Sequence, residues 1–316
     1  MNMPNCPMCQ SAELELLERL AVADLDRLYN EQLGIQVRSE FDGNDDLTFY
    51  RCRACDLRFF WPMSPGGAEF YHELHHRDWY YLQEKSEYLT ARQWLKKGDA
   101  VLDIGCGYGF FSTHVIEVEG SQFTGLELTE TAAQAAINRG LNVRRESIEQ
   151  HARQWPERYD VVSSFQVLEH VNELKSFIEA SLACLKPNGL LIYSVPSADS
   201  FVAEVRNGIL NLPPHHVTWW TDQALKNLSN IFQVEIAEIK HEALETIHFK
   251  SYAFSQALNV VERVIGRRRK LIDLSPQHKL ISFFALPVAM WHFLRAKLAS
   301  NHVPGHSVTV VYRKPQ

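Results

Sequence analysis

The chain has 316 residues, 46% of them hydrophobic and 22% charged, which suits one large soluble domain with an appendage. Its formal net charge of −6 argues against a duplex-DNA partner, since such binders carry a basic face. No run reaches the roughly 18 apolar residues of a membrane-spanning helix. The opening MNMPNCPMCQ has neither the basic nor the apolar part of a secretory signal, so a cytoplasmic location is expected.

Residues 1–63 form a first unit. It opens on CPMC, continues into ELELLERLAVADLDRLYNEQL, which reads as helical, turns at FDGNDD, and closes on TFYRCRACDLRFFWP. The β-forming aromatics around RCRAC predict a hairpin. Cys6, Cys9, Cys52 and Cys55 make two C-x-x-C pairs separated by 42 residues. Two such pairs supply four thiolates, the preferred tetrahedral shell of structural zinc, and a long intervening loop adds little closure cost. Without a secretory signal, metal is favoured over disulfides. A closed zinc-ribbon-like head is therefore expected. Cys106 and Cys184 read as small buried residues.

Residues 64–99 predict a helical connector. Its HELHH (His72, His75, His76) has ligand-like spacing but no accompanying carboxylate pattern, and is taken as a solvated face. Beyond it, from residue 100, AVLDIGC, QFTGLEL, LNVRRES, YDVVSSFQV and GLLIYSVP alternate with helical stretches. That rhythm predicts a parallel sheet with helices on both faces. The helix before GLLIYSVP is expected to stop at KPNG. PPHHVTWW precedes a helix capped by Thr221, FQVEIAEIK reads as a strand, residues 250–300 as a helical insertion, and HSVTVVYRK as the last strand.

Gly105, Gly107 and Gly109 follow a strand in VLDIGCGYG. Glycine permits positive φ there and lets a ligand approach bare backbone, and such turns in parallel sheets open on the ligand crevice. The spacing is G-x-G-x-G, not the G-x-G-x-x-G of dinucleotide binders. Glu127 stands 22 residues after Gly105, at the end of the next strand, where a carboxylate can accept both hydroxyls of a ribose.

VLDIGCGYG, GLELTE, YDVVSSFQVLEHV and LKPNGLLIYSVP, in that order, resemble the class I S-adenosylmethionine-dependent methyltransferases. The LEHV and LKPNG segments are similar to those of the branch that includes ubiquinone-biosynthesis O-methyltransferases. The resemblance covers roughly residues 85–200 and the final strand. It implies a doubly wound, mostly parallel seven-stranded α/β sheet over 100–316, and S-adenosylmethionine as cofactor. It further implies that Asp103, Gly105, Cys106 and Gly107 hold the methionine part, Glu127 the ribose and Leu128 the adenine face. Ser147 and Ile148 would meet the adenine edge, and Gln166 and Val167 would flank the sulfonium. Asn188 stands where the family usually has glycine; Asn tolerates the left-handed region.

Methyl transfer from a sulfonium needs mainly alignment. A hydroxyl acceptor also gains from a base, and His215, His216 and His170 are the candidates. Glu169 could bind substrate or serve as base, and Trp219 and Trp220 could pack on a flat or sugar-like acceptor or be buried behind the loop. A sugar, a polyketide-like molecule or a quinone-like lipid would fit as acceptor. Three alternatives are an RNA methyltransferase, against which the acidic balance counts, an NAD-dependent oxidoreductase, disfavoured by the glycine spacing, and a non-catalytic zinc-ribbon binding protein. Residues 266–298 join Arg267–Lys270 to LISFFALPVAMWHFL. They could touch an anionic membrane surface, cover the active site or form a dimer face.

Overall fold

A four-stranded antiparallel sheet carries the N-terminal unit: β1 (Leu14–Ala21), β2 (Asp46–Cys52), β3 (Arg58–Trp61) and, from far along the chain, β9 (Thr218–Trp219), in the order β1-β2-β3-β9. The structure, a computed structural model, describes residues 4–75, 77 and 83–316 without the side chains of His75, Ala299 and Asn301. The expected hairpin is β2–β3, with Phe49 opposite Phe60 and Tyr50 opposite Phe59. The expected helix across the first unit is only half there. LELLERLA is strand β1, registered against β2 from Leu14↔Cys52 to Ala21↔Asp46, and α1 (Val22–Leu33) starts where that pairing ends. A ladder partner outside the segment overrides local helix propensity. From Val22 the apolar face of Val22, Leu25, Leu28 and Tyr29 is buried at helical spacing.

The connector contributes α2 (Ala68–His75) and α3 (Ser86–Arg92); His76 lies outside the described residues. The large sheet holds β4 (Ala100–Ile104), β5 (Gln122–Leu126), β6 (Val143–Arg144), β7 (Tyr159–Phe165), β8 (Leu185–Pro196), β10 (Glu235–Ala243) and β11 (Pro304–Arg313). Its order is β10-β11-β8-β7-β4-β5-β6. β4 to β8 run parallel, while β11 pairs antiparallel with both β8 and β10. This is the expected seven-stranded, mostly parallel sheet. One face packs on α6 (Ile148–Gln154), α7 (Leu174–Cys184) and α8 (Asp222–Phe232) through Ile148, Phe177, Ile178, Leu225 and Leu228. The other packs on α3 and α4 (Ser112–Ile116) through Tyr88, Ala91, Phe111 and Val115. Helix α5 (Glu130–Asn138) links β5 to β6.

Helix α7 ends at Cys184, just ahead of KPNG as expected, and Asn188, at φ 63°, lies among the opening residues of β8, which starts at Leu185. The strand register shifts at that point, with Tyr159 opposite Leu185 but Val161 opposite Leu190. The insertion is a hairpin of α9 (Phe249–Val264) and α10 (Pro276–Ala299), the latter continuous through Pro287. No helix of the described residues is long and apolar enough to cross a membrane.

Candidate active site and metal centre

The strand order reverses at β4, which lies between β5 and β7, and the crevice at such a switch point is where parallel sheets bind ligands. Three strand ends meet there. β4 ends in Asp103–Ile104 and runs into Gly105, Cys106 and Gly107, with φ of 71° at Gly105 and 54° at Gly107. A Cβ on Gly105 would lie 2.4 Å from Val167 Cγ2, so the turn and the β7 end interlock around a missing side chain. Glu127, just past β5, is buried. Its Oε2 accepts from Gly107 N–H at 2.9 Å and its Oε1 from Thr129 N–H at 2.7 Å. Each carboxylate oxygen keeps a second lone pair for another donor. Asp103 is also buried, accepts from the Ser163 hydroxyl at 2.8 Å, and is pushed up to about 7 by burial. Leu128 is 66% exposed at the lip. Gln166, at φ 57°, donates through Nε2 to Ser307 Oγ on β11 at 3.1 Å.

Not every sequence candidate presents its side chain to this crevice. Cys106 packs against β5: a Cβ on Gly125 would strike its Sγ at 2.5 Å, so only its backbone belongs to the turn. Ser147 and Gln150 make a reciprocal capping box on α6, and Ile148 is buried in the core. The first helix after the glycines, α4, begins only at Ser112.

Beyond β7 a second group forms. Glu169 and His170 lie on a 3₁₀ turn (Leu168–His170), and the 210–217 loop brings His215 and His216 against them. The ring centroids are 4.7 Å (His170–His215), 4.9 Å (His170–His216) and 4.5 Å (His215–His216) apart. His215 Nδ1 faces the Leu210 carbonyl at 2.9 Å, and His216 Nδ1 faces Asn211 Oδ1 at 3.0 Å. His170 Nδ1 makes a short bond to the His215 carbonyl and lies 3.1 Å from the Tyr71 hydroxyl; the Gln166 carbonyl is also against this ring. Burial pulls His170 down to about 4, and takes His216 well below its ordinary value. Glu169 is 1% exposed, and burial pushes it up to about 8. Neither of its carboxyl oxygens has a hydrogen-bond partner among the described residues.

Trp219 and Trp220 do not face an acceptor. Both are buried, Trp219 bonding to the Asn211 carbonyl and Trp220 to Thr218 Oγ1. Thr221 caps α8 as expected, accepting from Ala224 N–H at 3.0 Å. It also donates to Asp56, the residue after Cys55, at 2.5 Å. That contact, and β9 as an added strand of the head, gave no signal in the sequence.

A family model described as a methyltransferase domain matches residues 74–238, just over half of the chain. The chain belongs to this methyltransferase family. Among curated proteins it is 32% identical over 120 residues to a ubiquinone biosynthesis O-methyltransferase of Proteus mirabilis, covering 36% of this chain and 46% of that protein. It is 38% identical over 100 residues to the protein of that name from Serratia proteamaculans, covering 30% and 41%. These matches thus span less than half the length of those relatives. A solved S-adenosylmethionine-dependent methyltransferase of Archaeoglobus fulgidus shares the fold at a TM-score of 0.51 and 17% identity, covering 77% of this chain and all of that one.

The methyltransferase crevice fits S-adenosylmethionine by its chemistry. A buried carboxylate at Asp103 suits an ammonium, the lone pairs left on Glu127 suit a ribose diol, and the cradle at Gly105 admits no side chain. The enzyme's head equally fits structural zinc. Cys6 and Cys55 sulfurs are 3.4 Å apart, Cys9 and Cys52 sulfurs 3.5 Å, and all four lie within 4.8 Å of one another. Zinc–sulfur bonds of about 2.3 Å in a tetrahedron place sulfurs at nearly that spacing.

Proposed function

We propose that this methyltransferase methylates a hydroxyl oxygen of a small quinone-like acceptor, received by the cluster of Glu169, His170, His215 and His216. The observation that carries this is the position of the cluster. It begins just past the end of the strand β7, where Val167 packs against the glycine turn. The names of the curated relatives support oxygen as the atom and a quinone-like ring as the acceptor.

Asp103 would pair with the ammonium of the cofactor, Glu127 with its ribose, and Leu128 would cover the adenine face. The backbone at Gly105, Cys106 and Gly107 would carry the methionine part, with only the backbone of Ser147 and Ile148 left to meet the adenine edge, since the Ser147 side chain caps α6 and that of Ile148 is in the core. Bound S-adenosylmethionine supplies an electrophilic methyl group on a positively charged sulfur. The chain's contribution is alignment, worth on the order of 7–11 kcal/mol in well-oriented reactions. An imidazole of the cluster, held neutral by burial, accepts the hydroxyl proton, which typically adds about 10²–10⁴ in rate. The test is turnover of catechol and hydroxyquinol acceptors with S-adenosylmethionine, with products identified by mass spectrometry. Methyl ethers are expected, with turnover lost in one or more of His170→Ala, His215→Ala and His216→Ala. Methylation at nitrogen or carbon would sink the choice of atom, and unchanged turnover in all three variants would remove the histidines.

Peripheral membrane contact through 266–298 belongs with this reading, because a quinone-like lipid resides in a bilayer. Leu280, Phe283, Phe284, Met290, Trp291, Leu294 and Leu298 are exposed on α10, which carries Lys279, Arg295 and Lys297 and no acidic residue. The preceding basic cluster is partly committed elsewhere: Arg267 pairs with Asp273 at 2.7 Å, and Arg269 donates to the Ala203 carbonyl. Arg268 and Lys270 stay exposed and, with the cations of α10, would supply the lipid-facing charge. Co-sedimentation with anionic liposomes at low salt should capture the protein; its absence would end this option.

A further inference from the structure

We propose that Lys85 is a catalytic residue of this enzyme, whose ammonium holds the reacting oxygen of the acceptor while that oxygen gives up its proton. The inference rests on the acceptor site argued above and names the group that steadies its nucleophile.

Three observations point to Lys85. First, the fold holds it over the crevice. Lys85 immediately precedes α3, with its backbone extended at φ −138° and ψ 142°. The next residue, Ser86, donates its hydroxyl to Glu242 Oε2 on β10 at 2.8 Å. Lys85 Nζ lies 5.7 Å from the ring centre of Tyr88, and that ring meets Phe165, the last residue of β7, edge-on at 5.1 Å. The Lys85 side chain is 20% exposed, so a ligand can reach it although most of its hydration is gone. Second, its charge is felt in both halves of the site. It acts on Asp103 of the cofactor crevice, on Glu169 and His170 beyond β7, on Glu87 of α3 and on His306 of β11. Third, Nζ makes no hydrogen bond among the described residues. Glu87 Oε1 stands 3.8 Å from it, too far for one, and that oxygen is itself buried without a partner. An acceptor oxygen between the two would take a hydrogen bond from Nζ. It would take a second from Glu87 when that carboxyl is protonated, a state that burial favours.

Charge balance favours an anion at this point. Burial raises Glu87 and pushes Glu169 up to about 8, so neither is a full counter-charge to Lys85 near neutral pH, and Asp103 is taken by the ammonium of the cofactor. An ionised acceptor oxygen supplies the missing charge. In the step itself the acceptor O–H proton passes to an imidazole of the cluster. An electron pair of the oxygen forms the bond to the methyl carbon, and the carbon–sulfur pair returns to a sulfur that ends neutral. Lys85 keeps its protons throughout. A fixed donor aimed at a developing oxyanion is worth about 10²–10³ in kcat. The acceptor class follows: an acidic hydroxyl, phenolic or enolic, in preference to an aliphatic alcohol.

The probe is 4-nitrocatechol, whose ionised form absorbs visible light, added to the full chain saturated with S-adenosylhomocysteine and titrated with pH. A neighbouring ammonium lowers the pKa of an acid by about 1–3, so the bound probe should ionise at least about one pH unit below the free one. Lys85→Met should abolish that difference and Lys85→Arg should keep part of it. The other titratable groups that face Lys85 are Glu87 and Tyr88 from α3, Asp103 from β4, Glu169 and His170 from the turn after β7, and His306 from β11. All are present in both variants, so they cannot account for a difference between them. Catechol turnover should fall by about a hundredfold in Lys85→Met. Affinity for S-adenosylhomocysteine should stay within about threefold in both variants, and thermal melting checks that they fold. A probe shift that depends on Lys85, with no methyl ether formed by the wild type, would sink the oxygen-methylation reading and uphold Lys85 as the partner of the oxyanion. A probe left unshifted or unbound at millimolar concentration would overturn the proposal. So would a shift that survives Lys85→Met, or a larger loss of S-adenosylhomocysteine affinity, which would put Lys85 on the cofactor instead.

Discussion

The cofactor crevice and the histidine cluster beyond β7 adjoin each other, yet their supports differ. Asp103, Gly105 and Glu127 come from one strand–helix–strand unit, and their mutual contacts, such as Gly107 N–H to Glu127, are local to it. Glu169, His170, His215 and His216 are held from outside. Val217 N–H bonds to the Glu169 carbonyl at 2.9 Å, and on the other side Phe60 N–H bonds to the Val217 carbonyl at 3.0 Å. β9 pairs with β3, Gly66 N–H reaches the Pro214 carbonyl at 2.8 Å, and Thr221 reaches Asp56 beside Cys55. The cysteine head is thus one wall of the 210–217 loop. None of Asp103, Gly105, Gly107 and Glu127 belongs to it.

The sharpest way to break the cofactor side alone is Gly105→Ala. The substitution adds a Cβ 2.4 Å from Val167 at a φ of 71°, where a side chain is strained even without a neighbour. S-adenosylhomocysteine affinity should fall by about a hundredfold, roughly 2.7 kcal/mol, with the cysteine-site zinc retained. Wild-type affinity in this variant would mean that the turn does not cradle the ligand.

The converse is to remove the cysteine-site metal by chelation, or to make Cys52→Ser. Loss of the head releases β9 and the 210–217 loop, and displacement of reacting groups by about 1 Å can cost on the order of a hundredfold in rate. kcat should fall on that scale while S-adenosylhomocysteine affinity changes by no more than about threefold, well under 1 kcal/mol. Equal losses of both would show that the head supports the whole domain and that the two regions are not separable.

The same contrast decides how much could be read from the sequence. The sheet and its crevice were legible because each strand, glycine and carboxylate lies in one contiguous run whose composition carries its conformation. The four cysteines were legible from ligand spacing. LELLERLA was misread as helix because its strand state depends on β2, some thirty residues away. On sequence alone Trp219 and Trp220 could face an acceptor or the core, because sequence does not say which side of a loop faces inward; both turn inward. The three histidines were separate candidates, and their convergence on Glu169 exists only once β9 is pinned by the head. Asp56 carried no signal at all, since its role is a contact with Thr221 far along the chain.

The smallest expected effect is a pH dependence that belongs to the cofactor side only. Burial raises Asp103 to about 7, while Ser163 and Lys85 act to lower it and Glu127 to raise it; Tyr88 from α3 and Cys106 from the turn also face it. Below that value the carboxyl is neutral and offers no charge to an ammonium; above it the carboxylate is ionised. S-adenosylhomocysteine affinity should therefore rise between pH 6 and pH 8, by up to about tenfold, or 1.4 kcal/mol, and level off above. The ligand-free protein should move the opposite way. A carboxyl whose folded pKa lies above its unfolded one favours the protonated fold, so its contribution to stability is full below the unfolded value and declines as pH rises toward 7. Asp103→Asn should flatten both trends. A calorimetric profile that keeps its slope in Asp103→Asn would move the titrating group elsewhere.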